Sequence, residues 1–412
     1  MSVPLPRPTL LPGVRVLWRD AGTAQVGADP STGMVVSGLP AGSADFLGVL
    51  DGRRTEAEAL TAATELGLAA EDAADLLAAL RACGAVADGD PAADLGTRLP
   101  GAVRQRLVPE LGGVGRRCRA PSTGVGGVSA GAAPGTSPDP LTHATADPTE
   151  GGPPWPAART PGAGVRAAGA APARAIDAAA GAVVAARSRA RVVVRGGGRI
   201  CVPLAALLAA AGVGHVHVDV DGTVEPAEVA VGGHRADDVR RPRATAAAET
   251  VRAVAPEVDT RPPRGGVTPH FVVLARAESP PVLAALTPET RRVPHLALAV
   301  RGGLAVVGPL VVPGRTACLH CLYLHRCDRD PHWPVLAAQF GTGPEEGHCS
   351  AAIAAVAAGV AALQVLGQLD GGEPEALSAT LELGSPGRLV RRRTWRPHPR
   401  CGCLRTVLAD VG

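Results

Sequence analysis

The sequence predicts an α/β protein in three parts: a small α+β domain over 1–90, a linker over 91–173 and a larger α/β domain over 174–412. Three observations predict it. A strand, a Gly-rich turn, a helix and a second strand follow one another between Arg191 and Val220. Short strands and then three helical stretches fill the first 90 residues. Between these parts lies a segment dense in Gly, Pro, Ala, Ser and Thr with no hydrophobic period. Such a segment buries too little apolar surface to offset its ordering entropy, so it reads as a disordered linker.

In the first part, Val14–Trp18, Gln25–Gly27 and Met34–Leu39 read as short strands separated by Gly/Asp turns. Ala41–Leu50 follows as a helix. Thr55-Glu-Ala-Glu58 is a capping box that opens a second, and a third starts near Glu71 with Leu76, Leu77 and Leu80 on one face. Strands followed by three short helices outline a winged-helix domain. In the third part, Arg191–Val194 is a β-branched strand, Gly196–Gly198 the turn, Pro203–Ala211 the helix and His215–Val220 the next strand. Phe271–Leu274 and His295–Val300 are further strands, and Leu304–Val312 suggests a hairpin.

Composition narrows the chemistry. The chain has 412 residues, with 41 basic residues against 38 acidic ones and a net charge of +3. So small an excess gives no bulk drive toward nucleic acid. Every basic residue is arginine, and neither lysine nor asparagine occurs. A mechanism that needs a lysine ammonium or an asparagine amide from this chain is excluded. The apolar stretch Ala351–Leu366 is alanine-rich, contains Gly359 and Gln364, and is too short and too weakly hydrophobic for a membrane span. The proline-broken N-terminus lacks a signal pattern, and nine cysteines, four of them in two tight pairs, point to metal before disulfides. A soluble cytoplasmic protein is expected.

The cysteine spacing is the strongest motif. Cys318-Leu-His-Cys321 and Cys401-Gly-Cys403 form two short-range pairs, which fits a closed tetrahedral structural zinc site of four thiolates. His320 and His398 are neighbours that can substitute as ligands. The Gly196-Gly-Gly-Arg-Ile-Cys201 turn stands where a strand meets a helix, where backbone N–H groups can cradle a phosphate. Cys349, beside His348, is a candidate nucleophile, with a small buried core residue as the alternative.

The run Arg191–Arg243 contains Gly196-x-Gly198, Ala211-Gly-Val-Gly214, Asp219-Val-Asp221 and Asp237-Asp-Val-Arg-Arg-Pro-Arg243. With the cysteine pairs and Ala361-Ala-Leu-Gln-Val365, it resembles the ThiF-type adenylyltransferases, relatives of ubiquitin-activating enzymes. Gly308–Cys321 and Asp328–Trp333 resemble an actinobacterial branch linked to thiazole/oxazole-type peptide maturation. The N-terminal part is similar to the PqqD-like winged-helix module, which clamps a precursor's leader peptide by adding it to a sheet edge. The resemblance implies a Rossmann-like domain and a homodimer. It also implies an ATP/Mg2+ site built on Gly196, Gly198, Asp219 or Asp221, and Arg243.

Position by position, that site is depleted. The third and fourth motif glycines fall on Arg199 and Cys201, the Asn position on Glu228, the Arg position on Val231 and the Lys position on Arg243 or Arg241. Ala275-Arg-Ala-Glu278 stands where an Asp for magnesium belongs. Adenylyl transfer needs several aligned charges at once, so these departures imply a scaffold that does not adenylate. The expected function is to bind a precursor leader peptide and support a partner cyclodehydratase of the YcaO type. The alternatives are an active ThiF-type adenylyltransferase acting on a C-terminal carboxylate, or a structural protein with neither activity.

Overall fold

The computed structural model describes residues 5–11, 14–27, 34–89, 103, 105, 107, 110, 130–132, 181–265, 267–275, 292–340, 349–384 and 389–404. The three short N-terminal strands form an antiparallel meander: β2 (Val16–Asp20), β3 (Thr23–Val26) and β4 (Met34–Ser37). β1 (Pro8–Leu10) pairs instead with β5 (Val86–Asp88), which closes the domain. Between β4 and β5 run α1 (Ser43–Val49), α2 (Glu56–Glu65) and α3 (Ala70–Ala82). The capping box is formed: the Glu58 N–H donates to Thr55 Oγ1 and the Thr55 N–H to Glu58 Oε2. α3 buries Ala73, Leu76, Leu77 and Leu80, so its leucine stripe faces a core that also holds Phe46, Leu68 and Val36.

Two stretches of the 91–173 segment, expected as linker, meet these domains. Ala130–Ala132 forms β6 and pairs with β4, and Glu110 reaches the α/β domain.

The α/β domain is one seven-stranded sheet in the order β13-β12-β11-β10-β9-β7-β8. β7 (Arg191–Arg195), β8 (His215–Asp219), β9 (Phe271–Ala275) and β10 (His295–Arg301) are parallel. β11 (Leu304–Val311), β12 (Ala379–Leu383) and β13 (Val390–Thr394) continue antiparallel. β7 lies inside the sheet and buries Val192, Val193 and Val194 in succession, as strands covered on both faces do. β8 is an edge and alternates, with Val216 and Val218 inward. Leu304–Val312, expected as a hairpin, instead gives one strand, β11, which pairs with β10 across a turn at Gly302-Gly303, where both glycines have positive φ.

The helices are α4 (Gly198–Ala210), α5 (Arg243–Val254), α6 (Leu319–Arg329), α7 (Trp333–Ala338) and α8 (Ala351–Leu369). By length and composition α8 is apolar enough to cross a membrane, but here it packs on α4 and β11 as a core helix, burying Ile353, Ala354, Ala357, Ala361 and Val365. Its Gln364 side chain accepts the Ala376 N–H at 2.8 Å.

The N-terminal domain is docked on α6 and α7 through β2. Arg19, buried, grips Asp330 with both nitrogens at 2.8 and 2.5 Å. The Gln339 amide accepts the Trp18 N–H at 2.8 Å and donates to the Trp18 carbonyl at 2.7 Å, mimicking a neighbouring strand. Leu17 packs with Trp333, Leu336 and Ala337. A peptide strand therefore finds the β2 edge covered and the β4 edge paired with β6.

Candidate functional site

β7 delivers its Gly-rich turn to the carboxyl end of the sheet, between β8 and β9. The strand order reverses there, the place where open α/β sheets bind ligands. Gly196 has φ +119°, and a Cβ on it would lie 2.6 Å from the Ala275 side chain, so only glycine passes the end of β9. Its N–H donates to the Asp219 carbonyl at 3.0 Å. Gly198, also at positive φ, opens α4.

The α4 N-terminus is already answered. The Gly198 N–H donates to Glu228 Oε1 at 3.0 Å. Glu228 Oε2 accepts from the Glu225 N–H at 2.9 Å and from Arg243 Nε at 2.7 Å. Glu228 is 4% exposed, so this carboxylate is a buried anion held by a helix N-terminus and a guanidinium. Arg243 also donates to the Asp221 carbonyl at 3.1 Å and lies 3.4 Å from Glu225. The structure thus brings Gly196, Gly198, Asp221 and Arg243 together, but around an internal carboxylate. Asp219 stands apart at the rim, exposed, 3.5 Å from Arg195 Nε.

Arg199 does not face this crevice. It is 2% exposed and donates to the Ala227 carbonyl at 2.7 Å, Glu110 at 2.7 Å and the Cys349 carbonyl at 3.1 Å. Glu110 also accepts the Ala351 N–H at 2.8 Å. Glu110 and Arg199 together pin the start of α8, a pairing that the linker-like composition around Glu110 concealed. Cys201 is buried in the main core. Val231 is exposed, and Arg241 pairs with Asp238 and Glu249. Glu278 and His348 lie outside the described residues. Cys349 is fully buried, and burial pushes its thiol up to about 12, which leaves almost no thiolate near neutrality. Its thiol is placed as a core residue.

His234 carried no signal in the sequence. Its ring is buried in the loop between Glu228 and Asp238, and neither nitrogen has a hydrogen-bond partner among the described residues. Burial holds it below the ordinary histidine range.

The four cysteines of the two pairs meet. Cys318 caps α6 and Cys321 lies one turn on, while Cys401 and Cys403 come from the turn after β13. Sγ–Sγ distances are 3.8 Å for Cys318–Cys321, 3.6 Å for Cys318–Cys401 and 3.4 Å for Cys321–Cys403. A tetrahedral ion with sulfur at about 2.3 Å sets its ligands about 3.8 Å apart, so the cluster can hold a metal ion with little adjustment. Burial pushes Cys318 up and Cys403 up to about 11. Burial opposes the Cys321 thiolate too, but backbone hydrogen bonds from His398 and Cys318 outweigh it and hold that thiol below the ordinary range.

Beside the cluster, His398 Nδ1 accepts the Arg400 N–H at 3.1 Å, which leaves the ring proton on Nε2 to donate to Asp328 at 2.7 Å. Arg400 also binds Asp328, and His325 Nε2 donates to the Arg396 carbonyl at 2.8 Å. With its ring proton on the side facing Asp328, His398 serves as a brace between α6 and the Cys401 turn. His320 stacks on Tyr323, outside the sulfur cluster.

A Gly-rich turn at the strand-order reversal, together with four gathered sulfurs, is the layout that the sequence resemblance implied. Residues 175–280 match the ThiF family. No curated protein matches the chain. Solved structures similar to this chain include E. coli MccB with AMPCPP and MccA, at 14% identity and a TM-score of 0.44 over 96% of this chain and 99% of that one. E. coli MccB with ATP is 15% identical with a TM-score of 0.42 over the same shares. PaaA is 18% identical with a TM-score of 0.42 over 52% of this chain and 75% of that one.

Proposed function

We propose that the chain is a ThiF-type scaffold that binds a precursor's leader peptide through its N-terminal, winged-helix-like domain. It supports a partner cyclodehydratase of the YcaO type in the cytoplasm and does not adenylate. The observation that carries this reading is the Glu228 carboxylate, bonded to the Gly198 N–H and to Arg243 where a phosphate would need both. An ATP phosphate entering there meets a buried negative charge instead of unpaired donors, a repulsion that a low-dielectric site amplifies. The docked β2 interface supports the scaffold role, because it gives the N-terminal domain one orientation on the α/β domain. Zinc suits the four-sulfur cluster, where Cys318, Cys321, Cys401 and Cys403 would hold it. With no open position it would supply structural cross-linking and no Lewis acid. Dimerisation is part of the same reading.

The match of residues 175–280 to the ThiF family favours the second reading, an active adenylyltransferase using ATP and magnesium. ATP–pyrophosphate exchange in the presence of a candidate precursor peptide separates the two. The scaffold predicts no exchange together with saturable binding of the peptide. Peptide-dependent exchange refutes it.

A further inference from the structure

A cavity of about 810 Å³ opens at the seam between the N-terminal domain and α7, away from the Gly-rich crevice. Trp18, Pro40, Pro334 and Val335 give it apolar walls, and the Val335 side chain is 50% exposed. Two polar groups break these walls. Asp20 stands at the rim as its one charged group, with its carboxylate accepting the Gly22 N–H at 2.9 Å. The Ser43 hydroxyl lies deeper, 1% exposed and without a hydrogen-bond partner among the described residues. Buried hydroxyls are nearly always satisfied, so an orphaned one lining a cavity marks a place where a ligand atom completes the bond.

Charge narrows the ligand further. Residues 5–89 carry six arginines against eleven carboxylates, net −5, in a chain whose total is +3. Arg19, the arginine next to Asp20, is spent on Asp330. The acidic domain, with Asp20 at the rim, therefore faces an incoming ligand with negative charge around an apolar slot.

We propose that this cavity binds a peptide segment that places a bulky apolar side chain between Trp18 and Val335 and a basic side chain at Asp20, with a backbone group meeting Ser43. The proposal rests on the peptide-binding reading above and specifies the chemistry of the peptide. A volume of this size takes a ligand as large as a short peptide segment with its side chains. The site differs from strand addition, since it lies at the β2 side of the small sheet, where the Gln339 side chain already occupies the Trp18 backbone.

Two blocked, fluorescently labelled decapeptides test it on the full chain by anisotropy: one alternates leucine or tryptophan with arginine, and the other carries glutamate for each arginine. The arginine peptide is expected to bind about ten-fold tighter, and the preference to shrink with salt. Val335→Arg, at a half-exposed position that leaves the core untouched, is expected to weaken it about ten-fold. Asp20→Ala is expected to remove most of the preference for arginine over glutamate. Equal binding of the two peptides, binding indifferent to Val335→Arg, or no binding of either overturns the proposed site. Binding indifferent to Val335→Arg leaves the broader peptide-scaffold reading standing, because the peptide then sits elsewhere. Peptide-dependent pyrophosphate exchange sinks that broader reading whatever happens at the cavity.

Discussion

Glu228 shows how one side chain redirects a site. In the sequence it is an acid at the position of an amide. In the fold its two oxygens satisfy the Gly198 and Glu225 N–H groups and neutralise Arg243. Glu228→Ala leaves the helix N-terminus and Arg243 without their anion, which costs about 3 kcal/mol for a broken buried pair. Free phosphate is then expected to bind the vacated site, so thermal unfolding of the variant shifts upward in phosphate more than that of the native chain. Equal shifts in both proteins contradict the assignment. The depleted glycine motif was legible as a loss, because Arg199 and Cys201 stand in the sequence. The use made of Arg199 was not, since its partners Glu110 and Cys349 lie 89 and 150 residues away.

At the scale of elements, the signals that proved readable are local ones. The Thr55 capping box, the leucine stripe of α3 and the valine run of β7 each report a contact made within a few residues, and each element forms where expected. β1, β5 and β6 were missed, because three-residue strands with long-range partners leave no period to read. The docking segment 330–340 was missed for a similar reason: Asp330 and Gln339 are ordinary polar residues until Arg19 and Trp18 arrive. Buried histidines give the elements a pH dependence. Burial holds His295 on β10 and His234 in the loop before α5 below the ordinary value of 6.5. Both are neutral in the fold, and the unfolded chain takes up their protons first as pH falls. Their contribution to stability is therefore complete above pH of about 6.5 and is lost as the pH falls below it. Urea midpoints should drop between pH 7.5 and 5.5, and His295→Gln should flatten part of that slope. An unchanged slope in the variant contradicts it.

The whole molecule joins its two domains through the cysteine knuckle. Cys318 and Cys321 start α6, α6 leads to Asp330 and α7, and these carry the contacts to β2. His398 and Arg400, reaching Asp328, brace the same helix from the cysteine turn. If the four cysteines hold a metal, stripping it with a chelator is expected to loosen α6 and speed amide exchange over residues 16–20 at least ten-fold, while 192–194 in the sheet interior stay protected. Simultaneous loss at both places would mean that the metal holds the entire fold rather than the docking. If the Gly-rich crevice is closed to nucleotide by Glu228, calorimetric titration of ATP with magnesium into the full chain shows no saturable heat at millimolar nucleotide. One-to-one binding with a micromolar Kd would mean that the crevice is open to nucleotide.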